Sequence, residues 1–235
     1  MLPTQPIFTL FGIIIHDKSR MREIKTRIIK INPKFIELDK IKTIAYILKR
    51  QGVIAYPTDT FYGLGADCFS PEGIRRIYNL KKRKEIKPLP VIISDVDVVK
   101  KIAAEIPPCF WPLSREFWPG PLTLVLKASS KLPRGLIGPS QTIGIRLPAL
   151  SWLRELVRET DFPLTATSAN ISGEKGIFQV EKIIEIFWGK VDLIVDGGKT
   201  PGTKPSTVLD LALEKPKLLR RGAIPEKKFR RYLEI

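Results

Sequence analysis

From Ile28 onward, short apolar runs alternate with segments in which apolar residues recur every three or four positions. That pattern predicts an α/β or α+β domain rather than a helical bundle or a β-sandwich. Residues 52–56 read as a short buried strand that Pro57 ends, because proline has no N–H for a ladder. The strand follows a helix whose Ile41, Ile44, Ala45 and Leu48 share one face, with Asp39 as its cap. Ser70-Pro71-Glu72 predicts a second helix start, which carries Ile74, Ile77 and Tyr78 on one face and ends near Leu80. Further strands are expected over residues 89–93, 122–127, 142–147, 163–170, 191–195, 206–211 and 217–221. Helices are expected over 96–105, from Ser151, over 180–188 and over 225–233, and Pro119-Gly120-Pro121 forms a rigid turn. No repeat and no long linker interrupts the pattern, so residues 28–235 read as one domain. Residues 1–20 read as an N-terminal extension, disordered or the product of a non-native start, with Met21 as the alternative first residue.

Between these elements lie the residues with chemistry to offer. Tyr56-Pro57-Thr58-Asp59-Thr60-Phe61-Tyr62-Gly63-Leu64-Gly65-Ala66-Asp67 places hydroxyls, a carboxylate, aromatics and two glycines directly after an apolar run. Gly63 and Gly65 suit a small-ligand loop, where a Cβ would forbid the backbone conformation or the approach of the ligand; an ordinary strand-to-turn junction is the competing reading. Lys81-Lys82-Arg83-Lys84 puts four cations in a loop, suited to gripping phosphates or to complementing a helix C-terminus. Thr165-Ala166-Thr167-Ser168-Ala169-Asn170-Ile171-Ser172-Gly173 is a run of small and hydroxylated residues that lets a ligand come close to the backbone. Alternation along the strand at 142–147 puts Thr142, Gly144 and Arg146 on the face opposite Ile143, Ile145 and Leu147, aiming a hydroxyl and a guanidinium into one cleft. Gly197-Gly198-Lys199-Thr200 fails as a P-loop, because the position where the first glycine belongs is Leu193 within a strand; a loop cradling an anion stays open.

Composition narrows the function. A chain of 235 residues with a formal charge of +16 implies an anionic partner such as a nucleotide, a nucleic acid or an acidic membrane, or else a solvated lysine-rich surface. Cys68 and Cys109 are far apart, which suggests neither a disulfide framework nor a zinc site and fits a reducing cytoplasm. The one histidine, His16, lies in the peripheral N-terminal stretch, so histidine-based nucleophilic catalysis is not expected in the main body. The apolar stretch 8–15 is too short to span a bilayer and lacks the flanks of a signal peptide, so no membrane partner is expected.

The twelve residues from Tyr56 to Asp67 resemble the signature of the threonylcarbamoyl-adenylate synthase family, which carries a YrdC-like domain. The resemblance extends in order through Lys81-x-Arg83 with Lys87-Pro88-Leu89, the blocks 117–123 and 142–148, Ser168-x-Asn170, the stretches 192–198 and 206–210, and Leu219-Arg220-Arg221-Gly222-Ala223-Ile224. It implies an α/β, YrdC-like twisted open mixed sheet flanked by helices, with a concave basic cleft, in the family's single-domain form. The implied activity is that of a nucleotidyltransferase that joins L-threonine, bicarbonate or CO₂ and ATP into threonylcarbamoyl-adenylate and pyrophosphate. The product serves the N6-threonylcarbamoyladenosine modification of tRNA by a separate transferase complex. By motif match, Thr60, Arg146, Ala166 and Ser206 would hold threonine, and Arg83, Lys87, Thr142, Ser168, Gly176 and Arg220 would hold ATP. Lys81, Arg83, Ser168 and Asn170 would form the catalytic set, Lys81 and Asn170 at phosphate and ribose or at the carbamate, with Mg²⁺ carried on the triphosphate rather than in a protein metal site. Three positions depart from the family pattern: Lys82 where glycine is common, Thr167 where proline is often found, and Ile92 where many members have histidine. The rival readings are a non-catalytic double-stranded RNA or tRNA-binding module and a carbamoyl-adenylate domain like that of hydrogenase-maturation proteins, whose zinc-binding and acylphosphatase-like regions this sequence does not match.

Overall fold

The computed structural model describes residues 24–83, 87–202 and 204–233. The N-terminal extension, the alternative start at Met21, His16, and Lys84 of the basic run lie outside the described residues. Two mixed sheets are present. The first holds β1 (Arg27–Lys30), β2 (Ile54–Pro57), β3 (Tyr62–Gly65), β8 (Thr167–Ser168) and β9 (Leu193–Asp196) in the order β1-β9-β2-β3-β8. The second holds β4 (Val91–Ile92), β5 (Leu122–Lys127), β6 (Thr142–Arg146), β7 (Leu164–Thr165), β10 (Thr207–Asp210) and β11 (Lys217–Arg220) in the order β11-β10-β5-β6-β4-β7. Among the described residues the helices are α1 (Leu38–Lys49), α2 (Pro71–Leu80), α3 (Val99–Ile102), α4 (Phe110–Phe117), α5 (Arg134–Ile137), α6 (Ser151–Thr160), α7 (Val180–Phe187) and α8 (Arg230–Leu233).

Two apolar clusters hold these layers. Leu193 and Val195 of β9 and Ile54 and Tyr56 of β2 face a cluster shared with Ile41, Ile44 and Leu48 of α1 and Trp152, Leu153 and Leu156 of α6. The alternate positions Ala55 and Ile194 enter the larger cluster with Leu122, Leu124 and Leu126 of β5 and Ile143 and Ile145 of β6. Strands buried on both faces give continuous apolar runs, which is why β2 and β9 are legible in the sequence. The second sheet has one face in the larger cluster, and its other face is covered only at β4 and β7, where Ile92 and Leu164 join the cluster of α1 and α6. Thr123, Val125, Gly144, Arg146, Val208 and Asp210 leave its other face as the floor of a cavity.

Several expectations change on contact with the fold. Pro57 does not end the β2 ladder: it pairs with Tyr62, and the stretch read as a ligand loop is an antiparallel hairpin with only residues 58–61 at its tip. Gly65 is small because of Tyr56. A Cβ there would come within 2.6 Å of the Tyr56 ring, and one on Gly63 within 3.2 Å, so both glycines admit an aromatic side chain rather than a strained backbone. Asp39 lies inside the first turn of α1 and caps nothing; Glu37 occupies the cap position, its carboxylate accepting the Asn32 N–H at 2.8 Å, so Asp39 acts only on the helix dipole. Ser70 does cap α2, its hydroxyl accepting the Gly73 N–H at 3.0 Å. The strand expected over 89–93 shrinks to two residues, because Pro88 and Pro90 have no N–H to donate.

One expected strand divides. Residues 163–170 contribute β7 to the second sheet and β8 to the first, with Ala166 as the hinge between them. The Ala166 N–H donates to the Pro90 carbonyl at 2.7 Å, while Thr165 lies opposite Val91 of β4 and its N–H donates to the Ala66 carbonyl at 2.9 Å. The small-residue run therefore carries the chain from one sheet to the other. Residues 110–117, given no element from the sequence, form α4, where Phe110 and Leu113 enter the core and Pro112 is tolerated in the first turn.

Candidate active site

The floor of the second sheet, the hairpin tip and the β7–β8 crossover enclose a cavity of ≈ 1810 Å³. Every position singled out by motif match lines it: Thr60, Lys81, Arg83, Lys87, Thr142, Arg146, Ala166, Ser168, Asn170, Gly176, Ser206 and Arg220. Lys81, Arg83, Lys87, Lys127, Arg146, Lys175 and Arg220 supply seven cations to the lining, against the three carboxylates of Asp59, Glu174 and Asp210.

At one end lies Arg146, whose residue is 8% exposed. Its Nε donates to the Gly120 carbonyl at 3.0 Å, one terminal nitrogen reaches the Thr60 hydroxyl at 3.4 Å, and the other pairs with Asp59 Oδ1. Thr60 is held from behind. Its carbonyl accepts the Thr200 hydroxyl at 3.0 Å and the Gly202 N–H at 2.7 Å, and its own hydroxyl lies 3.0 Å from that of Thr58. The glycine-rich loop at 197–200 is thus a brace and not an anion cradle. Its Gly197 N–H donates to the Tyr62 hydroxyl, its Gly198 N–H to Asp196 Oδ1 and its Thr200 N–H to the Phe178 carbonyl.

Next to Arg146 on the floor, the Ser206 hydroxyl lies 2.9 Å from that of Thr123 and accepts from an Arg220 terminal nitrogen at 2.8 Å. Arg220 Nε also donates to the Ser206 carbonyl at 3.0 Å. Gly222 explains the rest of this motif: a Cβ there would lie 2.4 Å from backbone atoms of Ser206 and Thr207, which have no freedom to yield.

The basic run, expected to grip phosphates or to complement a helix C-terminus, places its first lysine at the C-cap of α2. Lys81 is 3% exposed and turns inward, its ammonium donating to the Ser168 carbonyl at 2.6 Å, the Asn170 carbonyl at 2.9 Å and Asn170 Oδ1 at 3.0 Å. Burial, with a smaller push from Arg83, pulls its pKa down to about 8. Asn170 is equally occupied: its side-chain oxygen also accepts the Ser168 hydroxyl, and its amide nitrogen donates to the Glu174 carbonyl. Lys81 and Asn170 therefore clamp the Ser-x-Asn loop onto the end of α2, leaving Ser168 exposed on the wall. Lys82 adopts φ +49°, the left-handed region where glycine is at ease, which accounts for the glycine common at this place in the pattern. Arg83 lies over the Tyr78 ring, 5.9 Å from its centroid, and its Nη1 is buried with no hydrogen-bond partner among the described residues.

Thr142, at the start of β6, lies 2.8 Å hydroxyl to hydroxyl from Ser140, and Lys87 is exposed at the rim, its carbonyl accepting the Tyr78 hydroxyl. Gly176 faces Phe61, whose ring a Cβ would meet at 2.7 Å. Ile92, buried at 2%, presents an apolar patch beside Ala166 and Leu153. Thr123 and Asp59, which touch Ser206 and Arg146, are among the lining residues given no role by sequence reasoning. Thr123 only closes the block 117–123, whereas Asp59 is the one carboxylate at the tip of the hairpin and was visible in its signature.

The family model Sua5_yciO_yrdC, described as telomere recombination, matches residues 46–222. A threonylcarbamoyl-AMP synthase of Pyrococcus abyssi is 38% identical over 190 residues, which cover 81% of this chain and 56% of that protein. A putative threonylcarbamoyl-AMP synthase of Methanocaldococcus jannaschii is 34% identical over 212 residues, 88% of this chain and 99% of that protein. The crystal structure of P. abyssi Sua5 complexed with L-threonine superposes with a TM-score of 0.83 at 36% identity, covering 88% of this chain and 61% of that one. The chain spans little more than half the length of the Pyrococcus relative.

Proposed function

The chain belongs to the Sua5/YciO/YrdC family, and from that premise we propose that it is an L-threonylcarbamoyladenylate synthase. It joins L-threonine, bicarbonate or CO₂ and ATP into threonylcarbamoyl-AMP, with release of pyrophosphate. The observation that carries this reading is the convergence, in one cavity, of Arg146 beside Thr60 and Ser206 at one end with Arg83, Lys87 and Arg220 around the remainder. A guanidinium flanked by hydroxyls suits a small amino acid, and a cationic wall suits a triphosphate. In this reading Arg146 binds the threonine carboxylate, Thr60, Ala166 and Ser206 surround the rest of the amino acid, and Arg83, Lys87, Thr142, Ser168, Gly176 and Arg220 surround ATP.

The reaction needs no histidine base. A carbamate oxygen, already anionic, attacks the α-phosphorus; the bond to the β-phosphate oxygen breaks and pyrophosphate leaves. The protein then has to align the two substrates and neutralise phosphate charge, which is work for preorganised cations. Lys81 and Asn170 contribute by holding the wall that presents Ser168. Among the described residues no group of three or more His, Cys, Asp or Glu converges to hold a metal ion. Mg²⁺ would be carried by triphosphate oxygens and water, where it would offset phosphate charge. We take residues 28–235 as the catalytic unit, the cytoplasm as its compartment, and a separate transferase acting on tRNA as the consumer of the product. Among the described residues no helix is long and apolar enough to cross a membrane.

The test is pyrophosphate release from ATP and bicarbonate with and without L-threonine, with serine as the control. Threonine-dependent release is expected. Its absence, together with tight and salt-sensitive RNA binding, would replace the synthase with the RNA-binding module.

A further inference from the structure

We propose that Asp59 receives the α-ammonium of the amino-acid substrate, so that Arg146 and Asp59 together read the zwitterion. The inference rests on the amino-acid end of the cavity assigned above. The two side chains come from segments 87 residues apart and are 9% and 12% exposed, yet both line the cavity.

A carboxylate that served only to neutralise a buried guanidinium would be expected to lie across its fork, two oxygens on two nitrogens. Here the pairing is one-sided. Only Oδ1 meets Arg146, while the other terminal nitrogen turns to the Thr60 hydroxyl over a long 3.4 Å. Asp59 Oδ2 has a single marginal contact, the Ala149 N–H at 3.5 Å. A carboxylate so little exposed ordinarily fills more of its lone pairs. An acceptor with spare capacity thus sits beside a donor with spare capacity, opposite charges side by side. An α-amino acid carries the matching pair on one carbon, its carboxylate for Arg146 and its ammonium for Asp59. Among the described residues Asp59 is the only carboxylate paired with Arg146. The ammonium gives up one proton to solvent or bicarbonate before its nitrogen adds to CO₂, and a second leaves the same way as the carbamate forms, so this contact belongs to capture of the free amino acid and is released at that step.

The experiment compares binding of L-threonine with that of 2,3-dihydroxybutanoate, in which a hydroxyl replaces the ammonium, by calorimetry on the full chain. A charge-assisted hydrogen bond predicts that the unmodified protein prefers threonine by about ten- to hundredfold. Asp59→Asn should bring the two ligands within about threefold, and Asp59→Glu, which keeps the charge, should preserve the preference. Equal binding of both ligands by the unmodified protein would overturn the proposal without any variant, as would an Asp59→Asn protein that still prefers threonine. If Asp59→Asn does not fold, the unmodified protein and Asp59→Glu still decide it, because loss of preference in the charged variant counts against the proposal. Failure of the unmodified protein to bind threonine at all is a different result: it refutes the amino-acid site itself.

Discussion

Arg83 carries a buried guanidinium nitrogen that no described residue satisfies, and an unpaired charged donor is costly to bury. A phosphate oxygen would complete it. Arg83→Ala should therefore abolish threonine-dependent pyrophosphate release while the melting temperature stays close to that of the unmodified protein, since among the described residues the guanidinium rests on the Tyr78 ring alone. Normal turnover in that variant would remove Arg83 from the phosphate site. Lys82, the adjacent departure from the family pattern, changes the backbone only by occupying a conformation glycine would adopt more easily. Ile92, where the family resemblance leads one to expect histidine, makes a buried apolar stretch of floor beside Ala166.

The β7–β8 crossover is the element on which both sheets depend. The Thr165 hydroxyl accepts the Ala66 N–H at 2.8 Å, and its carbonyl accepts the Tyr56 hydroxyl at 3.0 Å, all within fully buried structure. Thr165→Val keeps the shape and removes that acceptor, leaving a buried N–H without a partner. The expected loss is about 1–3 kcal/mol in urea unfolding, with Thr165→Ser close to the unmodified protein. Equal stability of the valine variant would show that the hydroxyl does not tie the sheets. Periodicity reads such a segment as one strand, because alternation reports which face is buried and not which sheet accepts the hydrogen bonds. Similar limits hid β1, an edge strand whose residues are mostly exposed, and shortened β4 after Pro88 and Pro90.

For the molecule as a whole, Lys81 couples the site to stability. Its pKa is drawn down to about 8 in the folded protein from an ordinary value of 10.5, so between those values the unfolded chain holds the proton that the folded chain has released. Stability rises with pH wherever the unfolded state binds more protons. Relative to Lys81→Met, the unmodified protein should therefore gain about 3 kcal/mol of unfolding free energy as the pH is raised from 8 to 10.5. A difference that stays flat across this window would mean that the lysine keeps its ordinary pKa in the fold. Apart from β1, β3, α4 and α5, the order of strands and helices was legible in the chain, as were the basic balance and the family motifs, because they depend on local pattern and on residue type. Legible too was the face of β6 that bears Thr142 and Arg146. The Asp59–Arg146 pair spans 87 residues and the Lys81–Asn170 clamp 89. Neither could be read from spacing, since each exists only where separate strands and loops are brought to one cavity wall. Burial there removes water as an alternative partner, and that is what turns a cation of the basic run inward and gives a hairpin carboxylate its guanidinium.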